Sequence, residues 1–142
     1  MLWQKPATCF EGLPGSWTFE RRIDNGARME GTAVFTPRPD GWLHYREEGT
    51  LRLPDGQTFA SYRSYLYAQR PNGFAVYFDE APPRLFHEIA LTPDLTGSAP
   101  HQCSADLYES DYRFLPDGSF TVVHQVRGPK KGYRMETTYR PA

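Results

Sequence analysis

The chain has 142 residues, a length that suits one domain with a buried core and divides poorly into two. Aromatic residues make up 15% of it, and 16 basic and 17 acidic side chains leave a formal net charge of -1. Nucleic-acid binders usually carry a basic excess, so this balance argues against such a partner. The chain also lacks an apolar run long enough to span a membrane.

The N-terminal segment, residues 1–14, lacks the basic-then-apolar plan of a secretory signal. We expect it to form an arm or a short helix beside a single domain that covers residues 1–142. The two cysteines, Cys9 and Cys103, are too few for a disulfide framework. We expect both to be free thiols in a reducing cytoplasm.

Turn signals follow one another along the chain as five Asx-Gly pairs, which tolerate the positive φ angles of tight hairpins. The pairs are Asn25-Gly26, Asp40-Gly41, Asp55-Gly56, Asn72-Gly73 and Asp117-Gly118. The segments between them alternate in polarity and are rich in aromatic residues. They predict nine strands, at about 15–24, 28–37, 42–52, 57–69, 74–79, 84–91, 100–114, 119–127 and 132–140.

Consecutive hairpins make neighbouring strands antiparallel, and closing the sheet removes its two unpaired edges. The predicted fold is therefore all-β, a single up-and-down antiparallel barrel of about eight to ten strands. Residues 92–100 read as a flexible loop at the barrel mouth. In the strand predicted at 100–114 the apolar phase switches near 108–110, which predicts a β-bulge that turns Asp106 and Tyr108 inward. The alternative is that Tyr108 only fills space and Asp106 fixes a loop.

The first predicted strand opens with Gly15-Ser16-Trp17. This Gly-x-Trp resembles the calycin superfamily of lipocalins, fatty-acid-binding proteins and their relatives. The resemblance implies a barrel whose tryptophan closes the base and packs on a basic residue of the last strand. Arg134 and Arg140 are the candidates for that residue here.

Most of the chain also resembles a family of uncharacterised bacterial and fungal barrel domains. The matching segments are 12–17 (GLPGSW), 31–35 (GTAVF), 45–49 (YREEG), 63–67 (RSYLY), 86–87 (FH), 101–108 (HQCSADLY) and 126–133 (VRGPKKGY). The family has no settled activity, so this resemblance implies the fold and marks positions without naming a reaction.

His101 and Cys103 lie two residues apart, so in a strand they share one face. An imidazole there can lower the pKa of the thiol and make it a nucleophile. The alternative is a small buried thiol beside a histidine that is hydrogen-bonded in the barrel wall. In a regular strand Asp106 falls on the opposite face and cannot orient His101 without a bulge.

Metal or haem binding is a further possibility. His87, His101, His124 and Cys103 could supply a zinc site if the fold brought them together, and His87 or His124 could hold haem. The chain has no closely spaced ligand pair of an established type. We therefore expect no cofactor, and a lone histidine on an apolar face is more often a satisfied wall residue.

Arg63, Tyr65 and Tyr67 share one strand face and form a cationic and phenolic ladder. In a barrel interior such a ladder suits an amphipathic ligand that carries a carboxylate or phenolate. Internal pairing of Arg63 with Glu47 or Glu48 is the alternative. The full set of candidate ligand-binding residues is Arg63, Tyr65, His87, His101, Cys103, Asp106, Tyr108, His124 and Lys130.

These features favour a barrel that binds a small, amphipathic and possibly anionic organic ligand. They leave open whether the protein forms a homodimer. One alternative is an enzyme of the isomerase, cyclase or decarboxylase type that uses Tyr, His and Arg in the same cavity. Another is a protein-interaction module with a filled barrel, in which Phe59 and Tyr62 face the partner.

Overall fold

The computed structural model describes residues 3–129 and 132–142. Two short 3₁₀ helices come first, Pro6–Thr8 and Phe10–Gly12. Ten strands follow: β1 (Gly15–Ile23), β2 (Arg28–Pro37), β3 (Leu43–Arg52), β4 (Thr58–Arg70), β5 (Gly73–Phe78), β6 (Arg84–Ala90), β7 (Thr96–Cys103), β8 (Asp106–Phe114), β9 (Phe120–Arg127) and β10 (Gly132–Pro141). None of the helices within the described ranges is long and apolar enough to cross a membrane.

All ten strands belong to one antiparallel sheet in the order β6-β5-β4-β3-β2-β1-β10-β9-β8-β7. Pairing of β1 with β10 joins the two chain ends, so the sheet curls into a nearly closed barrel with β6 and β7 at its seam. The all-β barrel predicted from the hairpin rhythm is confirmed.

Asx side chains explain why the hairpins form where they do. Asn25, Asp40, Asp55 and Asp117 each accept a hydrogen bond from the backbone N–H two residues later. The glycine after each of them has a φ between 87° and 91°, a conformation that favours glycine. The fifth pair differs, because Gly73 already pairs with Arg70 at the start of β5.

The strand predicted at 100–114 is in fact a hairpin. Ser104 and Ala105 form its two-residue turn, with Ser104 at a φ of 55°. The expected bulge near 108–110 is wrong, since the pairing of β8 with β7 and with β9 is continuous in register. The reversal of the chain produces the phase switch. The loop expected at 92–100 is also wrong, because a tight turn closed by the Leu95 amide on the Thr92 carbonyl (2.8 Å) leads straight into β7.

The bulge lies instead in β6, where the register with β5 shifts between Val76 and Tyr77. It leaves Phe86 as an extra residue, so Phe86 and His87 both point inward although they are adjacent in sequence. Their exposed fractions are 8% and 3%. This local irregularity places the Phe86 and His87 side chains next to each other inside the barrel.

The N-terminal arm plugs one end of the barrel. Trp3 stacks on Trp17 with ring centroids 5.9 Å apart, and its indole N–H donates to the Ser119 carbonyl (3.0 Å). Trp17 packs edge-on against Phe120 (5.1 Å). The expected packing of Trp17 on Arg134 or Arg140 is wrong, because both arginines lie exposed on the outer face of β10. Trp17 instead packs in an aromatic cluster that includes Trp3 of the N-terminal arm and Phe120.

The seam between β6 and β7 is tightest near the plugged end, at Gly97. A Cβ atom there would lie 2.7 Å from Ile89 Cγ2 and 2.8 Å from the Ala90 carbonyl oxygen. Only a residue without a side chain lets β7 approach β6 so closely. Gly97 therefore holds the seam shut at this end of the barrel.

We expect Gly97→Ala to destabilise the protein by about 1–3 kcal/mol, because the added methyl group overpacks the seam. Chemical denaturation measures the change in the free energy of unfolding. Gly132→Ala is the control, since the nearest atom to its new Cβ lies 3.8 Å away. Equal stability of the two variants would contradict the role given to Gly97.

Candidate functional site

A cavity of about 610 Å³ opens at the end of the barrel opposite the plug. Six of the residues predicted to bind ligand line it: Arg63, Tyr65, His101, Cys103, Tyr108 and His124. Phe78 and Phe86 add aromatic surface to the wall, and Arg84 adds a second cation at the rim. No acidic side chain lines the cavity among residues 3–129 and 132–142.

The other three predicted residues lie elsewhere. His87 is buried deeper in the barrel and lines an inner chamber. Asp106 lies against the backbone of Gly128, so close that a Cβ on this glycine would overlap its carboxylate. This contact joins the two sequence segments 101–108 and 126–133. Lys130 lies outside the described residues.

The hairpin turn changes the relation between Cys103 and Asp106. Because the two residues are directly paired across the turn, they share one face of the sheet, and the expected opposite placement of Asp106 is wrong. The Cys103 thiol is exposed at the mouth and the Cys9 thiol is buried in the plug, both of them free. Within the described chain no hydrogen bond joins the Cys103 thiol to His101, whose ring packs on Phe86 instead (5.4 Å).

His87 and His124 are held as neutral hydrogen-bonding groups. His87 Nε2 lies 2.9 Å from the Tyr112 hydroxyl, and His124 Nδ1 lies 2.8 Å from Ser110 Oγ. Burial lowers the pKa of His87 to about 3. Burial, followed by the positive charges of Arg21 and Arg63, lowers that of His124 to about 4. The described residues contain no group of three His, Cys, Asp or Glu side chains arranged to hold a metal ion.

A buried ion pair lies below the cavity. Arg21 donates two hydrogen bonds to the Glu47 carboxylate, at 2.8 and 2.9 Å. The Arg21 Nε–H donates to Thr137 Oγ1 (2.8 Å), and the Tyr45 hydroxyl donates to Glu47 (2.5 Å). Tyr139 lies 2.8 Å from the Tyr45 hydroxyl and extends the network. Every polar atom of the pair is thus engaged by a neighbour inside the barrel.

The network overcomes the cost of burying a carboxylate. Burial alone would raise the pKa of Glu47, but the hydrogen bonds and charge of Arg21, together with the Tyr45 hydroxyl, hold it below its ordinary value. The same partner keeps Arg21 charged although the residue is only 8% exposed. Both members of the pair are therefore ionised in the folded protein.

Arg63 is left without this kind of partner. Glu47, its neighbour across the strand pair, binds Arg21, and Glu48 pairs with Arg46 on the outer face (3.4 Å). Arg63 donates to the Tyr65 hydroxyl (3.3 Å) and, within the described ranges, forms no salt bridge. Internal pairing with Glu47 or Glu48, the alternative drawn from the sequence, is therefore wrong.

Arg21 and Tyr139 were missed by reasoning from the sequence. A signal existed for Arg21, because it continues the inward alternation of Trp17 and Phe19 along β1. A charged residue on an apolar strand face needs a buried partner. Tyr139 gave no comparable signal, since a tyrosine fits either face of a strand.

Residues 13–141 match a sequence family described as a family of unknown function, DUF6314. The chain belongs to DUF6314. No curated protein matches it. The match spans all ten strands, so the DUF6314 unit is the whole barrel.

Solved structures similar to this DUF6314 barrel are small β-barrels. One is EF1p2_mFAP2b bound to DFHBI, with a TM-score of 0.51 and 14% identity over 99% of this chain and 100% of that one. Another is a redesigned β-barrel, mFAP1, bound to DFHBI, with a TM-score of 0.45 and 17% identity over 90% of this chain and 94% of that one. At these identities the likeness is one of fold.

We expect Glu47→Gln to destabilise the DUF6314 barrel by about 3 kcal/mol or more, because it leaves the buried Arg21 charge uncompensated. Glu48→Gln, the same change one residue away on the outer face, is the control and should cost less than about 0.5 kcal/mol. Denaturant unfolding of both variants measures the difference. Similar losses for the two would show that the buried pair contributes no more than an exposed one.

The buried histidines predict a pH dependence of stability. A histidine in the unfolded chain has a pKa near 6.5 and is protonated below that pH. In the folded protein His87 and His124 stay neutral at the same pH, because their pKa values are lower. The free energy of unfolding should then fall as the pH drops from about 6.5 toward 4, by up to about 1.4 kcal/mol per pH unit for each histidine.

Urea unfolding at several pH values measures this slope. His87→Gln should flatten it, because one buried group no longer titrates differently in the two states. His44→Gln is the control, since the His44 side chain is 38% exposed. A slope unchanged by His87→Gln would contradict the assignment.

Proposed function

We propose that this DUF6314 protein binds a small, amphipathic organic anion in the cavity at the barrel mouth. The observation that carries the proposal is Arg63, a cation without a carboxylate partner on the wall of a 610 Å³ aromatic cavity. A cavity of this volume is in the range that holds drug-sized ligands. The barrel fold is consistent with a calycin-like binding protein.

The cations of the cavity favour an anionic group at its rim. A carboxylate, sulfonate or phenolate would form charge-assisted hydrogen bonds with Arg63, because the neighbouring Glu47 carboxylate is already hydrogen-bonded to Arg21. Arg84 adds a second positive charge, although Glu80 partly neutralises it from outside (3.0 Å). With no acidic lining residue described, a cationic ligand would find no counter-charge in this cavity.

The aromatic wall favours a flat apolar body for the same ligand. Phe78 and Phe86 stack with centroids 4.7 Å apart, and Tyr65 stacks on Phe86 at 6.0 Å. Such a surface binds rings by offset stacking and by burial of apolar area. EF1p2_mFAP2b, which has a similar fold, is bound to DFHBI, and this is consistent with ligand binding by a protein of this fold.

The low pKa values of two buried histidines argue against their use as general bases. A general base works best with a pKa near the working pH, whereas the pKa values of His87 and His124 lie at about 3 and about 4. A protein-interaction module is also less favoured, because the interior is not filled. Phe59 and Tyr62 are exposed as that alternative requires, and the Arg46 guanidinium lies over one face of the Tyr62 ring, 4.3 Å from its centroid.

Two fluorescent probes test the proposal. Anilinonaphthalene sulfonate carries an anionic group on an aromatic body, and N-phenylnaphthylamine is the same body without the charge. We expect both to bind the wild-type protein. In Arg63→Met the affinity for the sulfonate should fall about tenfold, the size of one lost charge-assisted hydrogen bond, with little change for the neutral probe.

Arg46→Met is the matched control, because it removes the same charge from the outer face of the neighbouring strand. It should leave both affinities unchanged. Equal losses of both probes in Arg63→Met, or equal losses of the sulfonate in both variants, would contradict Arg63 as the anchor. Failure of the wild-type protein to bind either probe would contradict the proposed function.

A further inference from the structure

A small chamber of about 30 Å³ lies below the cavity, in the middle of the barrel. Tyr65, Phe86 and His124 line both spaces, so the chamber adjoins the deep end of the cavity. Most of its remaining wall is polar and includes the Arg21–Glu47 pair, with Val76, Val122 and Met135 as the apolar members. A space of this size, surrounded by polar groups, holds one oxygen atom with its hydrogens.

One polar atom of this wall is unsatisfied. His87 is 3% exposed, and its Nε2 lies 2.9 Å from the Tyr112 hydroxyl. Its Nδ1 is buried and has no hydrogen-bond partner among the residues that the structure describes. Buried polar atoms without a partner are rare, and each needs a partner or an explanation.

The tautomer of His87 decides what the unsatisfied atom requires. If Tyr112 donates to Nε2, then Nδ1 carries the proton and needs an acceptor. If Nε2 donates to Tyr112, then Nδ1 is bare and needs a donor. A hydroxyl group serves both cases because it donates and accepts. Arg21 and Glu47 of the wall already bind each other, so neither is available to His87 Nδ1. Arg63 lines both the chamber and the cavity, and it is the cation to which the anionic group of the ligand is assigned above.

We propose that the chamber is a hydroxyl-binding subsite in which His87 Nδ1 forms a hydrogen bond with one hydroxyl group. A hydroxyl of the ligand supplies this group when the ligand reaches the chamber, and a single water supplies it otherwise. The ligand-hydroxyl source rests on the proposed binding function, and the water source does not. The β6 bulge serves this site, because the extra residue lets Phe86 and His87 face the interior side by side.

The subsite implies a more specific ligand class. The anionic group lies at the rim by Arg63, the aromatic body lies against Phe86, and a neutral hydroxyl points toward His87. Hydroxylated aromatic acids have this arrangement. A ligand without the hydroxyl leaves the water in place, and His87 then adds nothing to the affinity of that ligand.

Matched probes test the inference. Naphthalene sulfonate and a series of naphthol sulfonates, which differ from it by one hydroxyl at different positions, are titrated against the wild-type protein. We expect at least one naphthol sulfonate to bind about tenfold more tightly than the parent. His87→Phe should abolish this preference, and His44→Phe, on the outer face, should retain it.

A crystal structure of the ligand-free protein completes the test. An ordered water within hydrogen-bond distance of His87 Nδ1 supports the subsite even when all probes bind equally. In that case the hydroxyl bound by His87 belongs to a water and not to the ligand. No such water and no preference for hydroxylated probes would overturn the inference while leaving the proposed function standing. A water at Nδ1 with no probe bound would sustain the subsite and overturn the proposed function.

The variant His87→Phe need not fold for the inference to be decided. Nitrogen-15 NMR of the wild-type imidazole reports whether His87 Nδ1 is hydrogen-bonded, with and without a naphthol sulfonate. A hydrogen-bonded Nδ1 signal supports the subsite, and a signal typical of a nitrogen free of hydrogen bonds overturns it.

Discussion

The Arg21–Glu47 pair spans the barrel interior from β1 to β3, and the arrangement of the remaining polar groups follows from it. Removing two charges from water costs several kcal/mol per ion, so the pair persists only with full hydrogen bonding. Thr137 and Tyr45 supply that bonding, and Tyr139 extends it. These side chains occupy the middle of the barrel and divide its interior into two ends of different character.

One end is a dry aromatic core and the other is the ligand cavity. On the plugged side Trp3 and Trp17 seal the barrel with ring contacts, leaving no space for a ligand among the described residues there. On the open side the pairing of Glu47 with Arg21 leaves Arg63 without an acid. The ion pair thus stabilises the centre of the barrel and also creates the free cation at its mouth.

Local chemistry in the sequence was a sound guide to hairpins with Asx-Gly turns and a poor guide elsewhere. The turns at Gly26, Gly41, Gly56 and Gly118 were predicted because the side-chain hydrogen bond and the positive φ both belong to the turn itself. The hairpin at Ser104 was missed, since neither Ser nor Ala favours the left-handed region and its phase switch imitates a bulge. The true bulge beside Phe86 exists only in the pairing of β6 with β5.

The sequence by itself determined the fold class, the antiparallel order of the first strands and the shared face of Arg63, Tyr65 and Tyr67, because alternation and turn chemistry are local properties. Tertiary structure decided that this shared face is the barrel interior. Tertiary structure alone decided which acid meets which arginine. Glu47 lies beside Arg63 across one ladder, yet it binds Arg21 of β1, which is separated from β3 by β2. Only the curvature of the whole sheet sets that distance, and no stretch of sequence encodes it by itself.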